Sequence, residues 1–448
     1  MAQGSGARLF GTDGVRALAN GDLLTPELAL AVARSAAHEL LVRRTSTARP
    51  VAVIGRDTRP SGPMLEAAAA AGFASAGVDV LLLGVVPTPV VAHACARGGA
   101  DLGLVVSASH NAMPDNGLKL FGPGGWKLPD DVEVALEAGL DVTHERPTGL
   151  ELGRIAPASP DLVAAYVSDL LSALPAQASG LTVVVDCAQG AASALAPELY
   201  RAAGAEVVAI AADGDGGRIN DGSGATHLEL LQAAVVEHGA DLGLAHDGDA
   251  DRCLAVDASG AVVDGDQILA LLAVALHERG RLAHDTVVAT VMSNLGFVRA
   301  MRARGLTVVQ TAVGDRYVLA AMRAGGFALG GEQSGHTVLL DHATTGDGLL
   351  TGLGVLGRLA EAGQSLAELA GVMTRLPQVL VNVRAPRERA QAADVLAAVA
   401  IEEGTLGSAG RVLLRPSGTE ALVRVMVEAE TVEQAGAVAS RLAAVVAG

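Results

Sequence analysis

A chain of 448 residues with a net charge of −17 is too long for a single core and too acidic to favour nucleic acid or an anionic membrane as a partner. Half of its residues are apolar and 18% are charged, which argues against disorder, and aromatics at 2% leave Ala, Val and Leu to build the cores. The three cysteines, Cys95, Cys187 and Cys253, form no C-x-x-C pair, which argues against zinc and a disulfide framework and for a reducing compartment. No charged-then-apolar signal pattern opens the chain, and the apolar stretch Val80 to Ala92 is short and holds Pro87 and Pro89. A soluble, cytoplasmic protein without a membrane span is expected.

Phe10-Gly11-Thr12-Asp13-Gly14-Val15-Arg16 reads as a glycine-punctuated polar loop. A pattern then recurs three times. Its first strand runs into a loop at Val51 to Asp57, at Leu181 to Asp186, and at Thr286 to Val291. A helix comes next, then a small-residue turn and a second strand at Ala76 to Val80, Ala203 to Val207, and Arg304 to Val308. The third strand is Ala100-Asp101-Leu102-Gly103-Leu104 in the first copy and Ala240-Asp241-Leu242-Gly243-Leu244 in the second, identical at each position, with Phe327-Ala328-Leu329-Gly330 in the third. Similarity at about a hundred residues or more predicts three related α/β domains rather than a solenoid.

The loop after that third strand differs in every copy: Ser107-Ala108-Ser109-His110-Asn111, then Asp247-Gly248-Asp249-Ala250-Asp251-Arg252, then Gly331-Glu332-Gln333-Ser334-Gly335-His336. In α/β proteins this sheet edge is where ligands bind, so one scaffold offers three chemistries at one topological position. Beyond about Arg375 the pattern changes. Strands are predicted at Val379 to Val383 and Ala421 to Val427, and helices at Arg387 to Glu402 and Thr431 to Val446, as a smaller α+β domain. The expected domains are 1–157, 158–258, 259–374 and 375–448.

Asp247, Asp249 and Asp251 alternate along an extended loop, so their carboxylates can converge on one hard cation, and an all-oxygen set fits Mg²⁺ better than zinc. A calcium loop would need Gly and Glu where Arg252 and Ala258 stand. A solvated acidic turn is the alternative, but clustered like charges gain nothing unless a cation joins them. Arg252 beside the triad suits a phosphoryl oxygen. Arg415, Ser417, Gly418 and Thr419, with Arg424 on the next strand, suit a phosphate cradle, against the plainer reading of a type II turn. Gly352-Leu353-Gly354-Val355-Leu356-Gly357 matches a dinucleotide fingerprint but lies in a helix-period run after no strand, and Asp213 to Gly217 reads as a turn. There is no G-x-S-x-G elbow and no Walker loop.

A hydroxyl, a cation site, a polar contact loop and a phosphate cradle together point to phosphoryl transfer through a phosphoserine. On Phe10 to Arg16, Ser107 to Asn111, Asp247 to Arg252, Gly331 to His336 and Arg415 to Glu420, in that order, the chain resembles the α-D-phosphohexomutases over essentially its whole length. Two margins depart from the family pattern: Ala17 stands where Gly is usual after Arg16, and Ala421 where Pro is usual.

The resemblance implies three related α/β domains with mixed sheets and a smaller C-terminal α+β domain around a central cleft. It implies Mg²⁺, one per subunit, held by Ser109, Asp247, Asp249 and Asp251, and a phosphoserine at Ser109, not Ser107. A hexose 1,6-bisphosphate serves as activator. Lys119 matches the family's general acid/base lysine, a role an amine fills if neighbours lower its pKa; without the family it reads as a surface lysine. Arg16 and His110 support catalysis. Arg252, Glu332, Ser334, His336, Arg415, Ser417, Gly418, Thr419 and Arg424 bind substrate, and His336 reads equally as a structural hydrogen-bonder. Gln333 matches members that interconvert glucosamine 6-phosphate and glucosamine 1-phosphate and feed UDP-N-acetylglucosamine and peptidoglycan precursor synthesis, where glucose and mannose members carry Met. The alternative is a glucose- or mannose-phosphate member, and a phosphatase or a silent sugar-phosphate sensor are readings from other classes. The partner is a small sugar phosphate, with no nucleic acid and no membrane, and the subunit is a monomer or homodimer.

Overall fold

The structure, a computed structural model, describes residues 8–11, 13–41, 48–416 and 421–448. In chain order the strands are β1 (Val15–Leu18), β2 (Val51–Arg56), β3 (Asp79–Val85), β4 (Leu102–Val106), β5 (Asp115–Phe121) and β6 (Ile155–Pro157), then β7 (Thr182–Asp186), β8 (Glu206–Ile210), β9 (Leu242–His246), β10 (Cys253–Asp257) and β11 (Val262–Val263). After these come β12 (Thr286–Thr290), β13 (Thr307–Thr311), β14 (Leu329–Gly331), β15 (Thr337–Leu339), β16 (Gln378–Arg384), β17 (Arg411–Pro416) and β18 (Leu422–Glu428).

The repeat is a repeat of topology. The sheets run β1-β5-β4-β2-β3-β6, β11-β10-β9-β7-β8 and β13-β12-β14-β15. In each, the first strand of the copy lies between the second and the third, and the third turns back into an antiparallel partner: β4 with β5, β9 with β10, β14 with β15. In the parallel pairs β2–β4, β7–β9 and β12–β14 the central strands β2, β7 and β12 are Val-rich and the strands are largely buried, as parallel sheets covered by helices require.

The pentapeptide shared by the first two copies has a physical cause at its last four positions. Asp101 accepts a hydrogen bond from the Val51 N–H at 2.9 Å and Asp241 from the Thr182 N–H at 2.7 Å, so each aspartate ties the start of its neighbouring strand. The leucines lie in the core. A Cβ on Gly103 would come within 2.7 Å of Val91 and 2.9 Å of Cys95, and one on Gly243 within 2.7 Å of Leu231 and Val235. A helix crosses the strand too closely for any side chain. Gly330 in the third copy meets Met322 at 2.5 Å in the same way.

The dinucleotide-like glycines lie inside the helix Gly348–Ala362, where Gly352 admits the Tyr200 hydroxyl. Asp213 to Gly217 is a bend leading into a short 3₁₀ turn that Asp215 caps through the Gly217 N–H.

The chain divides into two compact units, Met1–Val291 with Val309–Ala370, and Met292–Val308 with Gly371–Gly448. The second unit begins a few residues before the expected 375, and it takes in a helix, Leu295–Ala303, that the repeat assigns to the third domain. Local contacts explain this. The Asn294 side chain donates to the Leu376 carbonyl and accepts from its N–H, both at 3.0 Å, and Glu428 accepts from the Leu295 N–H at 3.0 Å. The rest of this unit is the antiparallel sheet β16-β18-β17, with Val395, Val425, Val438 and Leu442 in its core. The helix expected from Arg387 is interrupted: a 3₁₀ turn, Arg387–Gln391, ends at an extended Ala392, and the helix is Ala393–Leu406. Among the described residues no helix is long and apolar enough to cross a membrane.

Candidate active site

β4 and β9 deliver their loops to one place within the first unit. Ser109 is buried and sits in the left-handed region with φ 51°, a conformation that costs a non-glycine residue and persists only where the surroundings impose it. Asn220 imposes it in part, its Nδ2 donating to the carbonyls of Ser109 at 2.9 Å and Asn111 at 3.1 Å, and Arg59 does the rest. Fully buried, it donates to the carbonyls of Ser109 (3.0 Å), Asn111 (2.7 Å), Ala112 (2.5 Å) and Asp115 (2.9 Å), while its Nε donates to Asp57 at 2.9 Å. The Ser107 hydroxyl donates to Asp57 at 2.5 Å and accepts the Ser109 N–H at 2.9 Å. Ser107 is therefore committed to holding the loop, and Ser109 Oγ donates to Asp247 Oδ2 at 2.5 Å.

The triad expected from spacing is assembled: ligand atoms of Asp247, Asp249 and Asp251 lie within 4.8 Å of one another, all buried. Burial, then Asp251 and Asp249, push the Asp247 carboxyl up to about 7. Asp249 Oδ1 and Asp251 Oδ1 are buried with no hydrogen-bond partner. A buried carboxylate oxygen left unpaired is costly, and a hard cation among oxygen donors removes that cost, so the residues fit Mg²⁺. The loop is fixed from behind by backbone bonds: Thr88 N–H to the Asp249 carbonyl at 2.9 Å and Gly348 N–H to the Ala250 carbonyl at 3.0 Å. The Thr88 hydroxyl also donates to Asp249 Oδ2 at 2.6 Å.

Lys119, on β5, is buried rather than a surface lysine. Its ammonium contacts Asp249 at 2.6 Å, Asp13 at 2.9 Å and Asp251 at 3.1 Å. Burial works against the charged form, but Asp13, Asp249 and Asp251 outweigh it and hold the amine well above its ordinary pKa. The condition that neighbours lower its pKa is not met here: the lysine faces carboxylates, and their attraction exceeds its desolvation.

Asp13 also pairs with Arg16 and with Lys127, and Lys127 pairs in turn with Asp315. His336 lies 3.6 Å from Asp251 and 3.5 Å from Asp315; burial opposes its charge, yet the two carboxylates raise its pKa. Arg252 approaches Asp247 at 3.8 Å and Asp251 at 3.9 Å. His110 Nδ1 is 3.5 Å from Ser109 Oγ, and burial with Arg252 and Arg16 pushes it down to about 4, so it is neutral at neutral pH.

In the third loop Glu332 accepts the Gly314 N–H at 3.0 Å, which aims its carboxylate, and the loop closes by Gly335 N–H to the Glu332 carbonyl at 3.0 Å. Gln333 Nε2 and Ser334 Oγ are buried without partners, polar atoms suited to receive a ligand's groups. In the second unit, Arg415 on β17 stands directly opposite Arg424 on β18. Ser417, Gly418 and Thr419 lie outside the described residues.

Motif and spacing rules pass over Asp57, Arg59, Thr88, Lys127 and Asp315. Arg59 carries a faint signal: Arg56-Asp57-Thr58-Arg59 leaves β2 at the same sheet edge as the three loops. Lys127 and Asp315 have none, since 188 residues separate them.

Comparison with known proteins bears on this arrangement. The description "Phosphoglucomutase/phosphomannomutase, alpha/beta/alpha domain I" matches residues 7–146, domain II 164–260, domain III 264–376, and the C-terminal domain 380–445. The chain belongs to the phosphoglucomutase/phosphomannomutase family, the phosphohexomutases. Within it, the sequence is 64% identical to the phosphoglucosamine mutase of Frankia casuarinae, over 98% of either chain. A Burkholderia thailandensis phosphoglucomutase/phosphomannomutase family protein shares the fold with TM-score 0.81 at 26% identity, covering 97% of both chains. The N-acetylphosphoglucosamine mutase of Aspergillus fumigatus, solved with GlcNAc-6P and magnesium, shares the fold with TM-score 0.65 at 21% identity, over 92% of this chain and 85% of its own.

Proposed function

We propose that the chain is a phosphoglucosamine mutase, interconverting glucosamine 6-phosphate and glucosamine 1-phosphate through a phosphoserine at Ser109. The observation that carries this reading is the meeting of a nucleophilic hydroxyl with a carboxylate cluster, Ser109 Oγ to Asp247 at 2.5 Å, in a chain 64% identical to a phosphoglucosamine mutase. Ser109 Oγ gives its phosphoryl group to O1 of glucosamine 6-phosphate, making the 1,6-bisphosphate. The sugar turns around, and Ser109 Oγ takes back the 6-phosphoryl group, leaving glucosamine 1-phosphate. Atoms balance over the pair of transfers, and hexose 1,6-bisphosphate loads a serine that has lost its group. Mg²⁺ at Asp247, Asp249, Asp251 and the serine oxygen supplies neutralisation of the transferring group's charge.

The chain's own residues do the rest by positioning and charge. Lys119 acts first as an acid: its ammonium protonates the departing Ser109 oxygen, and the amine so formed takes the proton that the attacking sugar hydroxyl loses, so the proton count closes within each transfer. Arg16 and Arg252 face phosphoryl oxygens. Neutral His110 holds the serine oxygen's position, and His336, whose pKa Asp251 and Asp315 raise, lies between those two carboxylates. Glu332 and Ser334 take adjacent sugar hydroxyls, and the Gln333 amide takes the 2-amino group, which a thioether would not. Arg415, Ser417, Gly418, Thr419 and Arg424 hold the distal phosphate. The enzyme works in the cytoplasm as a monomer or homodimer, built as domains 1–157, 158–258, 259–374 and 375–448.

Parallel assays on glucosamine, glucose and mannose 6-phosphates test the reading. The highest kcat/KM is expected with glucosamine 6-phosphate. A winning glucose or mannose phosphate would make the chain a phosphomannomutase/phosphoglucomutase, and free phosphate in place of a 1-phosphate product would make it a phosphatase.

A further inference from the structure

The carboxylate loop has a support that the phosphoryl transfer itself does not use. His246 is the last residue of β9 and is fully buried beside the triad. Its Nδ1 lies 3.0 Å from the Arg252 carbonyl. A carbonyl only accepts, so Nδ1 carries the hydrogen. Its Nε2 lies 3.0 Å from the hydroxyl of Tyr200, also fully buried, which donates to it. Tyr200 cannot retreat: its hydroxyl sits 2.2 Å from where a Cβ on Gly352 would be, filling the space that glycine leaves.

The Arg252 peptide is the far end of the turn that presents the carboxylates. The Arg252 N–H, one peptide before the carbonyl that His246 holds, donates to Asp247 Oδ1 at 3.3 Å, and Asp247 Oδ2 accepts the Ser109 hydroxyl. The carbonyls of Asp249 and Ala250 are held by backbone N–H groups, which any sequence supplies, whereas that of Arg252 is held by a side chain. We propose that His246 is a positioning residue for the cation site: by gripping the Arg252 carbonyl it sets the turn that orients Asp247 and keeps the three carboxylates at ligand spacing. The inference rests on the cation reading of the triad. Partners that orient metal ligands at one remove act in this way on affinity, not on fold alone.

The test separates hydrogen bonding from packing. An Asn amide nitrogen falls near the position of Nδ1 and can still donate to the Arg252 carbonyl, while Gln extends toward Nε2. Mg²⁺ is titrated calorimetrically into the full chain as wild type, Asp249→Asn, His246→Asn, His246→Gln and His246→Leu. His246→Leu and His246→Gln are expected to weaken Mg²⁺ by about tenfold to a hundredfold, and His246→Asn by about threefold or less. Wild-type affinity in the Gln and Leu variants, or an Asn variant no better than Gln, overturns the proposal. If the Leu variant fails to fold, the Asn and Gln pair, one methylene apart, decides alone. A wild type that binds no Mg²⁺ would strike the cation reading itself, with Asp249→Asn indistinguishable from it, and so is told apart from failure of the His246 role.

Discussion

The first and second repeats share a pentapeptide and a topology, and they diverge immediately after it. Counted from that pentapeptide, Ser107 and Ser109 stand where Asp247 and Asp249 stand. The first loop presents neutral hydroxyls and keeps a buried ion pair, Asp57–Arg59, behind them. The second presents carboxylates and keeps neutral groups behind them: Thr88, backbone N–H donors, and His246, which burial pushes down to about 4. The difference teaches where cations can be placed. A guanidinium behind the carboxylates would compete with a bound metal for them, whereas behind the serine loop it grips only carbonyls and its own aspartate. Of the cations that reach the triad, Lys119 comes from the front, on a strand of the first sheet, and Arg252 stands at the end of the loop itself.

The sharpest way to break this comparison is to remove the hydroxyl that joins the loops. Ser109→Ala should abolish 1-phosphate formation, a loss of several orders of magnitude, with the phosphate missing from the intact mass. Near-normal turnover with bisphosphate present would end the phosphoserine reading. Next comes Arg59→Met, which leaves the buried Asp57 without its guanidinium and strips four carbonyls of a donor; a cost of about 3–5 kcal/mol is expected from denaturant unfolding of the first unit. A cost under about 1 kcal/mol would mean that the loop holds itself without the ion pair.

Gly103→Ala and Gly243→Ala probe the shared scaffold. Each forces a methyl into a crossing helix, so each should cost about 1–3 kcal/mol, and a large effect in one alone would show that the copies are packed differently. Ser107→Ala removes the link between Asp57 and the Ser109 N–H, so the rate should fall about tenfold while peptide mapping still finds phosphate on Ser109. An unchanged rate would show that Ser107 is dispensable to the loop.

The smallest effect belongs to Asp186, which the second repeat carries and the first does not. It accepts the Ala188 and Gly224 N–H groups, and burial pushes its carboxyl up to about 6. A raised folded pKa means that this group's stabilisation is full below the unfolded value and is lost as pH rises through about 6. Wild type should therefore lose about 1 kcal/mol relative to Asp186→Asn between pH 5 and pH 7, read by denaturation at both. A constant gap would show that Asp186 does not titrate in that window.

Local rules made much of this protein legible in the sequence by itself. Strand and helix periodicity, the Asp that ties a neighbouring strand and the Gly that admits a helix are short-range constraints, so three copies of one unit could be read from the letters. Alternating aspartates made the triad visible before any fold, but the loop is a turn and not extended: Ala250, at φ 57°, donates its N–H to the Asp247 carbonyl at 3.0 Å, and that turn gathers the carboxylates. The same logic failed for Lys119. Its sequence neighbours, Leu118 and Leu120, say nothing about charge, and its real partners lie about a hundred residues or more away at Asp13, Asp249 and Asp251. Arg59, Lys127, Asp315 and His246 were likewise decided only by tertiary structure. Burial and ion pairing depend on which segments the sheets bring together, and a pKa is set by that surrounding rather than by the residue type. Sequence proposed the candidate groups, and long-range packing determined their surroundings, their orientation and which of the buried oxygens, Asp249 Oδ1 and Asp251 Oδ1 among them, have no hydrogen-bond partner.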